Sequence, residues 1–212
     1  VIEVNASILD LDHADFDGDG DVDLVGAAYY SDGVKVLLNS LAGTSWNVTT
    51  YDGDSYVHAV TAGDIDADGD ADIAYVTNDG DVRVLRNSGN GAMIAAEEYT
   101  AFSYVYSIEL VDIDGDLDLD LAVPLSKYDC SQGGAAVFFN SGNGIFQEPV
   151  LFPGSSSGEY LLVGDLDEDG DPDLLVVPWY PDSSGLLSLA PLLNDGKGGF
   201  VRAESPVRAP EE

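Results

Sequence analysis

Basic residues are scarce in this sequence: 7 lysines and arginines stand against 40 acidic residues, which gives a net charge of −33 over 212 residues. Nucleic acids and anionic membranes bind to basic surfaces, so neither is expected as a partner. No apolar run approaches the ~18 residues of a membrane helix, which argues against membrane insertion. The single cysteine, Cys130, excludes a disulfide within the chain and leaves a free thiol or a bond to another molecule. No segment repeats its apolar residues with a helical period, so almost no helix is expected.

Aspartate, by contrast, is concentrated in one short pattern. From Asp64 to Asp72, five aspartates occupy alternate positions of the chain. At about 4 Å, each pair of like charges costs ~1 kcal/mol in water and ~4 kcal/mol near a protein surface. A folded chain needs a cation to hold such a group together, and oxygen ligands select a hard cation such as Ca²⁺. We therefore predict a calcium ion bound by the side chains of Asp64, Asp66, Asp68 and Asp72 and by the carbonyl of Asp70.

This loop differs from an EF-hand, which needs a bidentate glutamate at its twelfth position. The twelfth residue counted from Asp64 is Tyr75. The flanking segments, residues 57–62 and 73–77, have the composition of strands rather than of helices. The sequence therefore predicts a calcium loop between two β-strands.

The same loop occurs four times, roughly every 50 residues, as in repeat architectures. The third copy has Leu117 where the others have glycine, so the third site is expected to be distorted or weak. One Ca²⁺ is predicted in each copy, about four in all. The predicted ligands are Asp15, Asp17, Asp19, Asp21 and Asp23; Asp64, Asp66, Asp68, Asp70 and Asp72; Asp112, Asp114, Asp116, Asp118 and Asp120; and Asp165, Asp167, Asp169, Asp171 and Asp173.

A second pattern follows each loop: an apolar run that ends in asparagine, then a turn, then a large apolar residue. The asparagines are Asn39, Asn87, Asn140 and Asn194, and the apolar residues are Trp46, Met93, Phe146 and Phe200. Each unit thus contains four strands in roughly 50 residues, which matches one propeller blade. We predict one all-β domain over residues 1–212, a β-propeller of four four-stranded blades with one calcium loop per blade. The repeats are expected at about residues 1–50, 51–98, 99–151 and 152–212.

These residues resemble the FG-GAP/VCBS repeat family, whose calcium-loop blades also occur in integrin α-subunit propellers and in some fungal lectins. The resemblance rests on the four aspartate loops and on the pattern Asn140–Phe146, and it covers nearly the whole chain. It implies a propeller whose calcium ligands are the aspartates at loop places one, three, five and nine and the carbonyl at place seven. It also implies an extracellular module for adhesion or ligand binding.

The number of blades leaves closure of the ring open, because familiar members of the family have seven blades and this chain has four. Four blades can close a ring, and Val1–Val4 could then complete the fourth blade. The chain could instead be a fragment, or a half-propeller completed by another copy. Residues Val1–Val4 could also add to the sheet of a neighbouring molecule and build oligomers or filaments.

Four aromatic residues in loops are candidates for ligand binding: Trp179, Tyr180, Tyr29 and Tyr30. Aromatic faces beside acids often hold carbohydrate, and packing between blades or subunits is the alternative. The two histidines, His13 and His58, are expected to be polar residues of inner strands rather than metal ligands. Asn5 and Asn47 begin N-glycosylation sequons, a pattern short enough to occur by chance.

Signatures of catalysis are few in the sequence, which has no H-E-x-x-H helix and no phosphate-binding glycine loop. A carbohydrate-processing enzyme remains an alternative, since a glycosidase pair is defined only by distance in space. Extracellular calcium sites have dissociation constants of about 10⁻⁴–10⁻³ M and would stay empty in the cytosol. We expect a secreted or cell-surface, non-catalytic module with a glycan or surface protein as partner, or else a self-assembling structural subunit.

Overall fold

The computed structural model describes residues 2, 4–30, 33–40, 43–52, 56–99, 102, 105–126, 133–154, 158–178 and 189–203. The regular secondary structure in these ranges is entirely β, as expected. No helix in the described ranges is long and apolar enough to cross a membrane.

Sixteen strands form four separate antiparallel sheets, and each sheet contains four consecutive strands in sequence order. Blade 1 consists of β1 (Ile8–Ala14), β2 (Asp23–Ala28), β3 (Gly33–Ser40) and β4 (Ser45–Tyr51). Blade 2 consists of β5 (Val57–Gly63), β6 (Asp72–Thr77), β7 (Val82–Asn87) and β8 (Met93–Tyr99). Blade 3 consists of β9 (Glu109–Val111), β10 (Asp120–Leu125), β11 (Gly134–Phe138) and β12 (Val150–Pro153). Blade 4 consists of β13 (Tyr160–Gly164), β14 (Asp173–Val177), β15 (Ala190–Asn194) and β16 (Phe200–Arg202).

Each aspartate loop connects the first strand of a blade to the second, which confirms the predicted order. Strands β6 and β10, second in their blades, are buried along their whole length, as their runs of apolar residues require. The turn between the third and fourth strands of blade 2 contains Gly89 and Gly91 at φ angles of 79° and 72°. These angles favour glycine, because a Cβ there would strain the backbone.

Three clusters of buried apolar side chains join consecutive blades, and we call each such contact a seam. Phe16 lies in the seam between blades 1 and 2, Ile65 in the seam between blades 2 and 3, and Ile113 in the seam between blades 3 and 4. Within the described part of the chain, no comparable cluster joins blade 4 to blade 1. The arrangement is that of a propeller, and three of its seams are packed.

The first strands of the four blades border a cavity of about 510 Å³. On its wall, the Asp10 carboxylate accepts the backbone N–H of Val60 at 3.0 Å, and the Asp12 carboxylate accepts that of Ala62 at 2.8 Å. These bonds satisfy donors on the free edge of β5, where no further strand pairs. Acidic side chains thus tie blade 1 to blade 2 at the centre of the array.

One alternative required residues 1–4 to form the closing strand of blade 4, and two of these residues, Ile2 and Val4, are described. Ile2 and Val4 lie outside the strands, and the fourth strand of blade 4 is β16. Completion of blade 4 by Val1–Val4 is therefore not seen among the described residues.

Candidate metal centres

Each of the four loops brings three aspartate side chains together, with ligand oxygens within 4.8 Å of one another. In three loops these are the aspartates at places one, three and nine, and in the first loop they are those at places one, three and five. The groups are Asp64, Asp66 and Asp72; Asp112, Asp114 and Asp120; Asp165, Asp167 and Asp173; and Asp15, Asp17 and Asp19. Clusters of this kind could hold a metal ion.

The aspartate at place nine connects the loop to the rest of its blade. These four residues are almost fully buried: Asp23, Asp72, Asp120 and Asp173. In blade 2, Asp72 accepts the backbone N–H of Ile65 at 3.2 Å and that of Asn87 at 2.8 Å. The corresponding pair of bonds recurs in the other three blades. Each place-nine oxygen therefore has a fixed direction, and each retains acceptor capacity for a cation.

Backbone N–H groups also orient the aspartates at places one and five. In the second loop, Asp64 accepts the N–H groups of Asp68 and Gly69 at 3.1 and 3.0 Å, and Asp68 accepts that of Asp70 at 2.9 Å. Backbone N–H groups of the loop therefore orient its carboxylates without help from a cation.

Places four and six of every loop have positive φ angles, which the sharp winding requires. The place-six residues are Gly20 (89°), Gly69 (98°), Leu117 (78°) and Gly170 (99°). The third loop thus keeps the winding despite its leucine, with the N–H of Leu117 donating to Asp112 at 3.1 Å. The predicted distortion of this site is not seen in the backbone, but a leucine in this region costs roughly 1–2 kcal/mol.

The electrostatics of the clusters disfavour the ionised carboxylates when no cation is bound. Burial raises the pKa of Asp72 to about 6 and that of Asp120 to about 6, and neighbouring aspartates contribute to both shifts. Burial also raises the pKa of Asp114, with further contributions from Asp116 and Asp112. A bound cation would remove this penalty, since opposite charge favours the ionised form.

Two buried carboxylate oxygens of these clusters have no hydrogen-bond partner among the described residues. They are Oδ1 of Asp66 and Oδ1 of Asp114, which both occupy place three of their loops. Buried polar atoms nearly always have a partner, so an orphaned carboxylate oxygen calls for a ligand that is not protein. The residues present therefore fit a metal ion at these places.

The second cluster also contains a protein cation, Arg86, whose position there no sequence motif indicated. Nη1 of Arg86 lies 3.1 Å from Asp66 and 3.4 Å from Asp72, and Nη2 lies 3.2 Å from Glu97. The residue at the same place before asparagine is Leu38 in blade 1 and Leu193 in blade 4. Part of the negative charge of the second cluster is thus already balanced by Arg86.

Sequence reasoning also missed what the recurring asparagines do. The side-chain amide of Asn87 donates to the carbonyl of Phe16 in blade 1 at 2.8 Å, across the seam. Asn140 donates to Ile65 of blade 2 at 2.7 Å, and Asn194 donates to Ile113 of blade 3 at 2.8 Å. Each asparagine therefore holds the second residue of the preceding blade's loop. The recurrence of one asparagine 23–29 residues after the start of each aspartate loop was the signal that could have revealed this bond.

The other candidate residues are distributed as follows. Tyr29 and Tyr30 stack with ring centroids 4.2 Å apart, and Tyr29 lies 5.7 Å from Tyr56. His58 lies beside Tyr106 at 4.7 Å and forms a hydrogen bond of 3.2 Å with Asn78, so it joins an aromatic group. His13 is in none of the clusters. Trp179, Tyr180 and Cys130 lie outside the described residues.

The fold and its loops define the class of protein, a β-propeller-like module built from repeats with acidic loops. The sequence model of the FG-GAP-like repeat matches residues 15–75, 68–123 and 128–176. The chain belongs to this repeat family, as its aspartate loops indicated. No curated protein matches it.

Proposed function

We propose that the chain is an extracellular, non-catalytic module stabilised by about four Ca²⁺ ions, one in each aspartate loop. The observation that carries the proposal is the pair of buried carboxylate oxygens of Asp66 and Asp114, which no donor from the described part of the chain reaches. Every candidate ligand is an oxygen, which suits Ca²⁺ or Mg²⁺. Calcium accepts more ligands and a less regular shell than magnesium, in keeping with loops that offer several carboxylates and a carbonyl.

Removal of Ca²⁺ by a chelator tests whether the metal stabilises the fold. Four sites filled at tenfold their dissociation constant would add about 5–6 kcal/mol, comparable with the stability of a whole domain. Removing Ca²⁺ with EGTA should therefore lower Tm by roughly 10–20 °C in a thermal scan. A calorimetric titration should give about four calcium ions per chain, and excess Mg²⁺ should restore less stability than Ca²⁺. An unchanged Tm together with no bound calcium would refute the proposal.

Asp66→Asn and Asp114→Asn identify the sites individually, because each keeps the shape of the side chain and removes one ligand charge. Each variant should lose about one calcium per chain. Asp195→Asn is the matched control: this exposed aspartate lies in a hairpin turn, outside the four clusters. Loss of calcium from the control variant as well would show that the ions bind diffusely to an acidic surface.

The proposed extracellular location rests on the calcium affinity expected for these loops. Sites of the weaker class, with dissociation constants of about 10⁻⁴–10⁻³ M, fill only where calcium is abundant. A calorimetric titration should return affinities in that range. Affinities in the low nanomolar range would fit a cytosolic protein equally well and would remove this argument.

The ligand site we propose is the mouth of the central cavity, where Tyr29 and His58 meet Asp10 and Asp12. The neighbouring ring of Tyr30 is 69% exposed and stands against Tyr29, which gives an aromatic surface beside carboxylates. Such a surface suits a glycan or a surface protein. A glycan array with the wild type and with Tyr30→Ala tests this, and Ile145→Ala, an exposed apolar residue of a distant hairpin, is the control. Binding that survives Tyr30→Ala unchanged would place the ligand elsewhere, and turnover of a polysaccharide would show an enzyme instead.

A further inference from the structure

The side of blade 4 that faces away from blade 3 is left uncovered, although the equivalent sides of the other blades are packed. The exposed fraction of the second residue of each aspartate loop shows this difference. Phe16, Ile65 and Ile113 are 1%, 2% and 0% exposed, whereas Leu166 is 47% exposed. Leu162 on the same blade is 56% exposed. We call Leu162 and Leu166 the open face of blade 4.

A specific hydrogen bond is also missing at the open face. In the three packed seams, the side-chain amide of Asn87, Asn140 or Asn194 reaches the carbonyl of the preceding blade's second loop residue at 2.7–2.8 Å. The fourth asparagine, Asn39, donates only to Val22 of its own blade at 3.1 Å within the described chain. The carbonyl of Leu166 is therefore not held in this way.

Blade 1 presents the matching half of a seam, without a partner. Trp46 pairs with Asn39 across β3 and β4, just as Met93 pairs with Asn87 and Phe146 with Asn140. Met93 and Phe146 belong to the clusters of the packed seams, and Trp46 belongs to none of the clusters of described residues. Blade 1 thus has the asparagine and the apolar residue that cover a preceding blade.

The charge of Lys35 also indicates that blade 1 presents half of a seam. Lys35 is only 8% exposed, and its ammonium donates to Thr50 at 2.9 Å but forms no ion pair within the described residues. At the same place before asparagine, Arg83 of blade 2 pairs at 2.7 Å with Asp52, which follows the last strand of blade 1. Lys35 therefore stands where Arg83 stands in blade 2, and an acidic neighbour would pair with it as Asp52 pairs with Arg83. A chain with 40 acidic residues supplies one readily.

We propose that the open face of blade 4 binds blade 1 of a second copy of this chain and so forms a fourth seam between molecules. In it, the side-chain amide of Asn39 donates to the carbonyl of Leu166 of the other copy, and Trp46 packs over that leucine. The second copy is the occupant because the contact continues the geometry of three existing seams, and each copy carries both halves. Blade 1 of the same chain is the other candidate occupant, since it borders the same central cavity as Tyr160 of blade 4, and a mass that rises with concentration distinguishes the two.

The contact is heterologous, so it builds a closed ring or an open chain of molecules. It is a contact between blade faces, unlike the donation of an N-terminal strand. It also stands apart from the calcium proposal, since none of its contacts uses a carboxylate of the clusters. Because each copy carries a net charge of −33, we expect association to strengthen as ionic strength rises.

The test is a light-scattering mass across a concentration series in Ca²⁺, for the full chain. The wild type should exceed the monomer mass of 22.3 kDa as concentration rises. The double variant Leu162→Ser with Leu166→Ser should shift the onset of association at least tenfold higher in concentration, and so should Trp46→Ser. Ile94→Ser, which changes a 61% exposed isoleucine on the outer strand of blade 2, should behave as the wild type.

Mixing the two impaired proteins decides between this contact and any other. Each retains one intact half, so an equimolar mixture should form one-to-one dimers that neither forms alone. Far-ultraviolet circular dichroism and calcium content, compared with the wild type, establish that both variants are folded. The proposal is overturned if the wild type remains monomeric throughout, or if the folded variants associate like the wild type. A mixture that stays monomeric overturns it equally, and none of these results would bear on calcium binding.

Discussion

The second and fourth aspartate loops have nearly the same sequence pattern and very different surroundings. In the second loop, Ile65 is 2% exposed and its carbonyl accepts the amide of Asn140 from the next blade. In the fourth loop, Leu166 is 47% exposed, and no described residue of another blade contacts its carbonyl in this way. The winding of the backbone and the hydrogen bonds to the place-nine aspartate are the same in both.

This difference separates what a loop determines for itself from what the following blade adds. The winding, the positive φ angles and the clustering of carboxylates belong to the loop, because they recur in the fourth loop, whose second residue is exposed. Burial of the second residue and the bond to its carbonyl belong to the seam. The four loops therefore share their aspartate pattern and differ in how far a following blade covers them.

The largest effect expected from this difference is the loss in free energy of unfolding when the second loop residue is truncated. Ile65→Ala opens a cavity in a packed seam and should lower the free energy of unfolding by about 2–5 kcal/mol. Leu166→Ala removes a half-exposed side chain and should cost less than about 1 kcal/mol in the monomer. Urea denaturation of both variants in saturating Ca²⁺ measures the two values. Equal losses would mean that the open face of blade 4 is covered in solution, and the comparison would fail.

The sequence was sufficient for the parts that depend on local chemistry. The spacing of aspartates located the loops, the strand-like composition and the apolar runs before asparagine located the strands, and the number of units set the number of blades. It could not show Arg86 beside Asp66 and Asp72, because the two loci are brought together only by pairing of β6 with β7. Nor could it show that Leu166 lacks a cover, since that depends on where a blade at the other end of the chain lies.

A smaller effect is expected for the asparagines. Asn140→Ala removes a bond across a seam and leaves the buried carbonyl of Ile65 without its donor, which should cost about 1–3 kcal/mol. Asn39→Ala removes contacts within its own blade only, and should cost about 1 kcal/mol or less in the monomer. Chemical denaturation measures the free energy of unfolding of both variants. If Asn39→Ala were the more harmful, the seams would not owe their stability to these bonds.

The comparison extends to the inner strands, where Glu109 of blade 3 and Leu162 of blade 4 each stand three residues before their loop. Burial, and then the charges of Asp10 and Asp12, raise the pKa of Glu109 from 4.5 to about 7. The folded state therefore holds this proton at pH values where the unfolded state has lost it, and stability falls as pH rises from about 4.5 to 7. Glu109→Gln should be more stable than the wild type by about 1–2 kcal/mol at pH 8 and nearly equal to it at pH 4.5.

Thermal unfolding of the two proteins across this pH range measures the effect of Glu109. The control is Glu98→Gln, because that carboxylate pairs with Arg83 on an outer strand and its loss should give no gain at pH 8. A constant difference between Glu109→Gln and the wild type at all pH values would show that the Glu109 carboxyl is not perturbed in the folded protein.

The smallest expected effect is on calcium affinity, and it tests whether the second site differs from the fourth in charge. Arg86 lies within 3.1–3.4 Å of two aspartates of the second cluster, and blade 4 has Leu193 at the same place. A cation that enters the second cluster must displace this guanidinium or bind beside it, at an expense of roughly 1 kcal/mol. Arg86→Leu should therefore strengthen calcium binding at one site by about fivefold, while Arg202→Leu, on the outer strand of blade 4, should leave it unchanged. Competition against a fluorescent calcium chelator resolves a change of this size. Weaker binding in Arg86→Leu would instead make the arginine a support for the ligands, and the second and fourth sites would then differ in architecture rather than in charge.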